Sequence, residues 1–367
     1  MMKEINLAKI IIIKRKEKKM TQDELAKYLG VSKAAISKWE TGQSYPDITF
    51  LPILASFFNI SIDELIGYEP QMEKDQIKQL YKQLCHDFTV LPFSEVIEKC
   101  DEIIRKYYSC FPLLLQMGLL IINHSMLDKD QTLELNTKAK ELFQRVKYHS
   151  DDVDLAKQAQ ILEAQCCLLL NDPKEALILL EGSEKPQLSG ELLQVNAHLM
   201  LGETENAKSD LQISIFQSLM KIVESFSLLL SISELNQFEE TVSRFMKLDE
   251  AFEIRKLNPY VIVPVLIIIA QGYMKLGNSE KALDYLDDYS KMVAFEFYPL
   301  KFKSTPFFDK IENWYETFDV GNTAPRDEVI IRQSTLDVLV NNPIFMPLKG
   351  NERFIHLVNR IGGCERC

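Results

Sequence analysis

Apolar and polar positions alternate along most of this chain with a period between three and four, and no long stretch keeps the two-residue alternation of a half-buried strand. The pattern predicts an all-α protein. It is sharpest in residues 21–40, TQDELAKYLGVSKAAISKWE, which read as two short helices joined by a tight turn. Thr21 with Glu24 three residues on makes a capping box. Leu25, Ala26 and Leu29 give the first helix one apolar face, and Gly30 stands where a left-handed residue must end it. Val31 fills the corner, Ser32 caps the second helix, and Ile36 and Trp39 share its inner face. Lys33, Ala34, Ser37 and Lys38 remain outside, small or basic, with nothing that requires burial. A helix held firmly from behind and presenting such a face suits the major groove of DNA.

The flanking segments extend the same unit. Residues 5–17 predict a first helix with Leu7, Ile10 and Ile11 on its core side. Residues 47–58 predict a fourth, with Pro52 in its first turns, where a missing N–H costs least. Ser61 and Glu64 repeat the capping box over a short fifth helix that Gly67 ends. Tyr68-Glu69-Pro70 marks the expected boundary, so residues 1–69 form the head and residues 70–361 the body, with 362–367 as a tail.

Within the body a five-point frame recurs, with steps of 3, 4, 5 and 4 residues. It reads Ala164, Cys167, Asn171, Ala176, Leu180; then Val195, His198, Gly202, Ala207, Leu211; then Leu229, Ile232, Asn236, Thr241, Phe245; then Ala270, Tyr273, Gly277, Ala282, Leu286. The first two positions share a helix face, Gly or Asn closes that helix in a left-handed turn, and the small residue that follows lets the next helix pack closely. Offsets of 31, 34 and 41 residues separate the copies.

These patterns carry two resemblances. Residues 5–68 resemble the Cro/C1-type helix-turn-helix regulators, the XRE family, with apolar residues at the expected Leu25, Leu29, Val31, Ile36 and Trp39. That resemblance implies a five-helix, lambda-repressor-like DNA-binding domain. It makes Lys33, Ala34 and Lys38 the base readers, with Ser37 secondary, although a surface lysine also serves as a plain phosphate contact. It places Gln22 on a phosphate and pairs Arg15 with Glu40, where the alternative is a solvated arginine. Ser32 and Thr41 flank the helix and could also reach phosphates, beside their local roles in capping and turning.

The repeat frame is similar to tetratricopeptide repeats, whose period is about 34 residues. The ending NNPIFMPLKGNERFIHLVNRI is similar to the segment that closes such α-solenoids. In that register the first helix of each pair lines a groove. Gln165, Asn196 and Gln271 would stud it with carboxamides, and Ile161, Leu192, Phe226 and Ile267 would form its floor. A carboxamide donates to and accepts from a peptide backbone, so an extended oligopeptide fits. The other reading, interhelical core with ordinary polar positions, stays open. The whole is similar in architecture to the peptide-pheromone-responsive regulators of Gram-positive bacteria, and Asn196 best matches the asparagine that grips the signal peptide there.

Charge and chemistry narrow the function. Residues 1–45 hold ten Lys/Arg against five Asp/Glu, and since the chain totals −11 the remainder carries −16. A basic head on an acidic body fits a DNA-binding module joined to a domain kept off the duplex. The seven cysteines are irregularly spaced and imply no disulfide framework; Cys364 and Cys367 form one isolated C-x-x-C pair. The histidines are scattered and no phosphate loop or nucleophile motif occurs, so neither catalysis, a cofactor nor a metal is expected. No apolar run reaches the ~20 residues of a membrane span, the longest being 113–122 and 261–270. The KRKEKK that follows Ile13 is out of order for a signal peptide. The expectation is a cytoplasmic, homodimeric regulator of transcription that binds a two-fold operator and senses a short peptide. The alternative is a body that serves as a protein–protein adaptor with no small ligand.

Overall fold

The computed structural model describes residues 7–67, 71–183, 190–299, 301–318, 322 and 324–363. The expected boundary at 68–70 and the Cys364/Cys367 pair lie outside these residues. Within them the chain is all-α, with no strand.

The head consists of α1 (Leu7–Glu17), α2 (Gln22–Leu29), α3 (Lys33–Glu40), α4 (Phe50–Phe58) and α5 (Ile62–Ile66). Its core gathers the apolar positions of the sequence pattern: Leu7, Ile11, Leu25, Leu29, Ile36, Trp39, Leu54 and Leu65 are buried together. α4 starts at Phe50, three residues later than the pattern suggests. The carboxylate of Asp47 accepts the backbone N–H of Thr49 at 2.9 Å and its hydroxyl at 2.6 Å, which holds the chain in a turn there.

The body begins with α6 (Lys74–Val90), α7 (Phe93–Lys106), α8 (Phe111–His124), α9 (Thr132–His149) and α10 (Val153–Leu169). α8 is apolar on nearly every side and is therefore central, with Leu113, Leu114, Leu120 and Ile121 buried beside Phe143 and Val146 of α9. Next come α11 (Pro173–Leu179), α12 (Gly190–Met200), α13 (Thr204–Ile232), α14 (Leu235–Phe252), α15 (Ile254–Leu257), α16 (Pro259–Lys275) and α17 (Ser279–Phe295). α18 (Glu312–Tyr315), α19 (Glu328–Val340) and α20 (Glu352–Gly363) close the body, the last on α17. A second core runs through α13–α17 and the closing segment, where Phe345, Leu348, Phe354 and Leu357 join it.

The repeat frame holds at three turns and fails at one. Asn171, Gly202 and Gly277 have φ of 60°, 76° and 72°, the left-handed residues the frame requires. Asn236 instead lies inside α14, and the chain breaks earlier, at extended Ser233 and Glu234. The reason lies upstream. From Ala207 to Ile232 the sequence has no Gly, Pro or Asn, so α13 continues for 29 residues and merges the second helix of one copy with the first of the next. That merger also corrects the reading of apolar runs. By length and composition α13 is apolar enough to cross a membrane, and only 22% of its most apolar window is buried.

The segment after α17 folds back over the body. Gln212 of α13 is buried, and its amide N–H groups donate to Phe307 O at 2.9 Å and to Asp309 Oδ1 at 2.8 Å. Its carbonyl accepts from Lys310 N at 2.8 Å. One turn on, the Phe216 ring meets Phe302, Phe308, Trp314 and Tyr315. The strap then reaches α6, where Lys74 Nζ donates to Thr317 O at 2.7 Å and Tyr81 Oη to Pro325 O at 3.0 Å.

Candidate nucleic-acid interface and repeat strip

The local sequence sets the geometry of α2 and α3. Thr21 Oγ1 accepts from Glu24 N at 3.2 Å while a Glu24 carboxylate oxygen accepts from Thr21 N at 2.7 Å, closing the capping box. Gly30 has φ 72°, and Val31 N donates back to Ala26 O at 3.0 Å, so the chain turns tightly into α3. Ser32 Oγ then accepts from Ala35 N at 3.2 Å. Behind α3, Ile36 is fully buried and Trp39 nearly so. In front, Lys33, Ala34 and Lys38 are exposed and Ser37 half-exposed, on one face. At the far end Thr41 is exposed, and its hydroxyl donates to Ser37 O at 2.9 Å.

A polar network fixes the end of α3 to α1 and α2. Arg15 Nε donates to Glu40 Oε1 at 2.6 Å and Nη2 to Oε2 at 2.9 Å, a two-pronged pair. Arg15 Nη1 also donates to Met20 O at 2.6 Å, and Gln22 Nε2 to Glu40 Oε2 at 2.8 Å. Glu40 is buried. Burial alone would raise its pKa, but the hydrogen bonds from Arg15 and Gln22 and the charge of Arg15 outweigh it and hold the carboxyl below its ordinary value. Gln22 thus sits at the first turn of α2 with its amide committed to Glu40.

The strip residues of the body do not form one surface. Ile161, Gln165, Leu192 and Asn196 are exposed on α10 and α12. Ile267 is buried and Phe226 packs against the same core, so those two belong to helix packing and not to an open groove floor. Gln271 lines a small cavity with Leu230, Phe238 and Ile268. The cause is the merged α13, which breaks the regular stacking of first helices on which the strip depended. Among the described residues Ala164, Cys167 and Ala176 form a small separate cluster with Leu179 and Leu180 packed against it, while Leu168, Leu177, Ile178, Leu193, Met200 and Leu201 on and beside α10–α12 are exposed. The sequence reading passed over these exposed positions because each residue sits at an ordinary helical apolar position. It also passed over Tyr45 and Ile48, exposed in the loop after α3, whose signal is an aromatic and an aliphatic residue in an otherwise polar turn.

The five described cysteines are free and buried. Burial pushes Cys85, Cys100 and Cys166 up to about 12. His198 bonds Glu203 at 2.6 Å across the turn between α12 and α13, a local clasp.

Comparison with known proteins addresses the head. A helix-turn-helix family model matches residues 11–65. The HTH-type transcriptional activator BcrR of Enterococcus faecalis is 37% identical over 76 residues, 19% of this chain and 37% of that protein. The HTH-type transcriptional regulator AnsR of Bacillus subtilis is 32% identical over 92 residues, 25% of this chain and 78% of that protein. The match thus spans little more than a third of BcrR, and most of AnsR. Among solved structures, the apo form of ComR from S. thermophilus aligns over 79% of this chain and 94% of its own at 15% identity. Its TM-score of 0.27 is too low to define a shared body fold.

Proposed function

The chain belongs to the helix-turn-helix transcriptional regulators, and from that premise we propose that it is a sequence-specific regulator, homodimeric, whose body binds a regulatory peptide in the cytoplasm. The observation that carries the DNA-binding part is α3 itself. Its inner face is locked by Ile36, Trp39 and the Arg15–Glu40 pair, and its outer face offers Lys33, Ala34, Ser37 and Lys38. Lysine donates to guanine O6 or N7, and alanine packs on a thymine methyl. Ser32 and Thr41 at its two ends reach phosphates, with Gln22 steadying Glu40 beside them. A dimer would place two such helices on half-sites about 34 Å apart or a multiple of that. The peptide would act by binding one relative placement of the heads more tightly than another.

Selection of bound sequences from a random duplex pool by the full-length chain tests this reading. Recovery of a two-fold site with half-sites one or two helical turns apart supports it, and recovery of no preferred sequence overturns it. For the sensing part, calorimetry against short synthetic peptides should find binding that weakens on Asn196→Ala, the carboxamide left exposed on α12. A second reading is favoured by a separate observation, the exposed apolar residues on and beside α10–α12. There the body is an adaptor for another protein. Stable association with a folded partner, lost on Leu193→Glu or Met200→Glu, together with indifference to peptides would select it.

A further inference from the structure

α14 and α17 do not close against each other. Phe238 fixes one end of α14 on α16, where its ring covers Gly272 and meets Tyr273 at 5.3 Å. Toward the other end the helices leave a cleft of about 800 Å³, within the range of small-molecule sites. None of the strip residues proposed above lines it.

Its chemistry is specific. Val242 and Met246 supply apolar surface, and the Tyr273 and Tyr285 rings stack with centroids 5.6 Å apart and planes 12° apart. The charges of the lining are four carboxylates (Glu239, Asp249, Glu250, Glu253) and four cations (Lys247, Arg255, Lys256, Lys281). Of the cations, Arg255 is committed to protein carboxylates, and Lys256 makes an exposed local pair. Arg255 is bound by buried Asp249 at 2.6 Å and reaches Asp288 at 3.5 Å, while Lys256 pairs with Glu253 at 2.5 Å. Glu253 itself lines the cleft at the α14–α15 corner and stands at φ 49°, a left-handed conformation that non-glycine residues rarely hold.

The informative group is Lys281. Its ammonium pairs with Glu239 at 2.5 Å and lies over the Tyr273 ring, 5.1 Å from the centroid. Both contacts favour its charged form, the Glu239 hydrogen bond most strongly. A carboxylate beside a ring face is the recognition device for an ammonium group. Both side chains of the pair are about half exposed, so the link is weak and the lysine can swing away. When it does, the lining holds more carboxylates than cations, around two stacked rings.

We infer that this cleft is a binding site for organic cations with an aromatic or aliphatic body, and that Lys281 is a tethered occupant of the cation position. The incoming cation takes the place of the lysine at Glu239 and Tyr273, with Glu250 nearby, and its apolar body lies on Tyr285, Met246 and Val242. This goes beyond the regulatory peptide and stands without it.

Calorimetry of the full-length chain with tetraphenylphosphonium, and with tetraphenylborate as an anion of the same shape, tests the inference. The phosphonium should bind and the borate should not. Glu239→Gln should weaken the phosphonium about tenfold. Lys281→Met should tighten it several-fold, because a competing charge of nearly the same length is gone; a lysine that merely props the cleft open would give the opposite sign. A cooperative thermal unfolding transition of the body, retained in each variant, reports that the cleft's helices are folded independently of the ligand result. Equal binding of the two ions, or a Lys281→Met variant that binds no more tightly, overturns the inference.

Discussion

Glu40 is the residue on which the head's rigidity turns. Its carboxylate is buried and takes hydrogen bonds from Arg15 and Gln22, so removing Arg15 leaves a charge with too few partners. Arg15→Ala should cost about 3–5 kcal/mol in urea unfolding, and a double Arg15→Met, Glu40→Met change should recover much of it. Because the folded pKa of Glu40 is depressed, its contribution is fully present above the ordinary glutamate value of about 4.3 and is lost as pH falls through the lower folded value. Stability measured against pH should therefore drop more steeply on the acid side in wild type than in Glu40→Gln. At the DNA face, Lys33→Ala or Lys38→Ala should weaken operator binding by about 1–3 kcal/mol and relax one base position if that side chain reads a base. A loss uniform across sequences, with a salt slope lower by about one, marks a phosphate contact instead. The head's lettering was legible because capping box, left-handed glycine and apolar face all fall within residues 21–40, where local rules decide. The same rules do not say which partner a polar side chain takes. Gln22 shows this, since its link to Glu40 joins residues 18 apart in sequence.

At the level of elements, the frame succeeded where a turn former closes each helix and failed where none exists. Asn171, Gly202 and Gly277 each sit at their turn, but α13 runs through the place where periodicity alone suggested two helices. Period three to four describes one long helix as well as two short ones, and only a breaker separates them. The strip of seven residues depended on that separation, so Phe226 and Ile267 ended in the core. Close packing elsewhere was equally hidden. A Cβ on Gly272 would lie 2.1 Å from the Phe238 ring, which is closer than atoms approach without rearrangement. Gly272→Ala should cost about 1–3 kcal/mol in thermal or urea unfolding, and Gly272→Ala with Phe238→Leu should cost less than the sum of the two.

The whole molecule is held by contacts that no local pattern announces. Gln212 binds the backbone of Phe307 and Lys310 with both ends of one amide, about a hundred residues away in sequence. Gln212→Leu leaves those groups unpaired and should cost about 1–3 kcal/mol. Amide exchange should then rise across residues 307–318 and remain low in α8, where the core is untouched. The fold class and both resemblances came from the sequence, while this cross-link did not, because a glutamine mid-helix looks like any solvated residue.

The strap that meets α6 sets a timetable for the chain's synthesis. Lys74 and Tyr81 bond to backbone oxygens 243 and 244 residues further on, and Cys85 reaches one 240 residues on. At roughly 5–20 residues per second, a ribosome needs about 10–50 s between making α6 and making its partner. Throughout that interval the head has all of its own core residues and can fold, while α6 waits with one face uncovered. A nascent chain stalled between the end of α6 and Pro325 would carry a finished DNA-binding head on an unfinished body, with the face of α6 that Lys74, Tyr81 and Cys85 share still open.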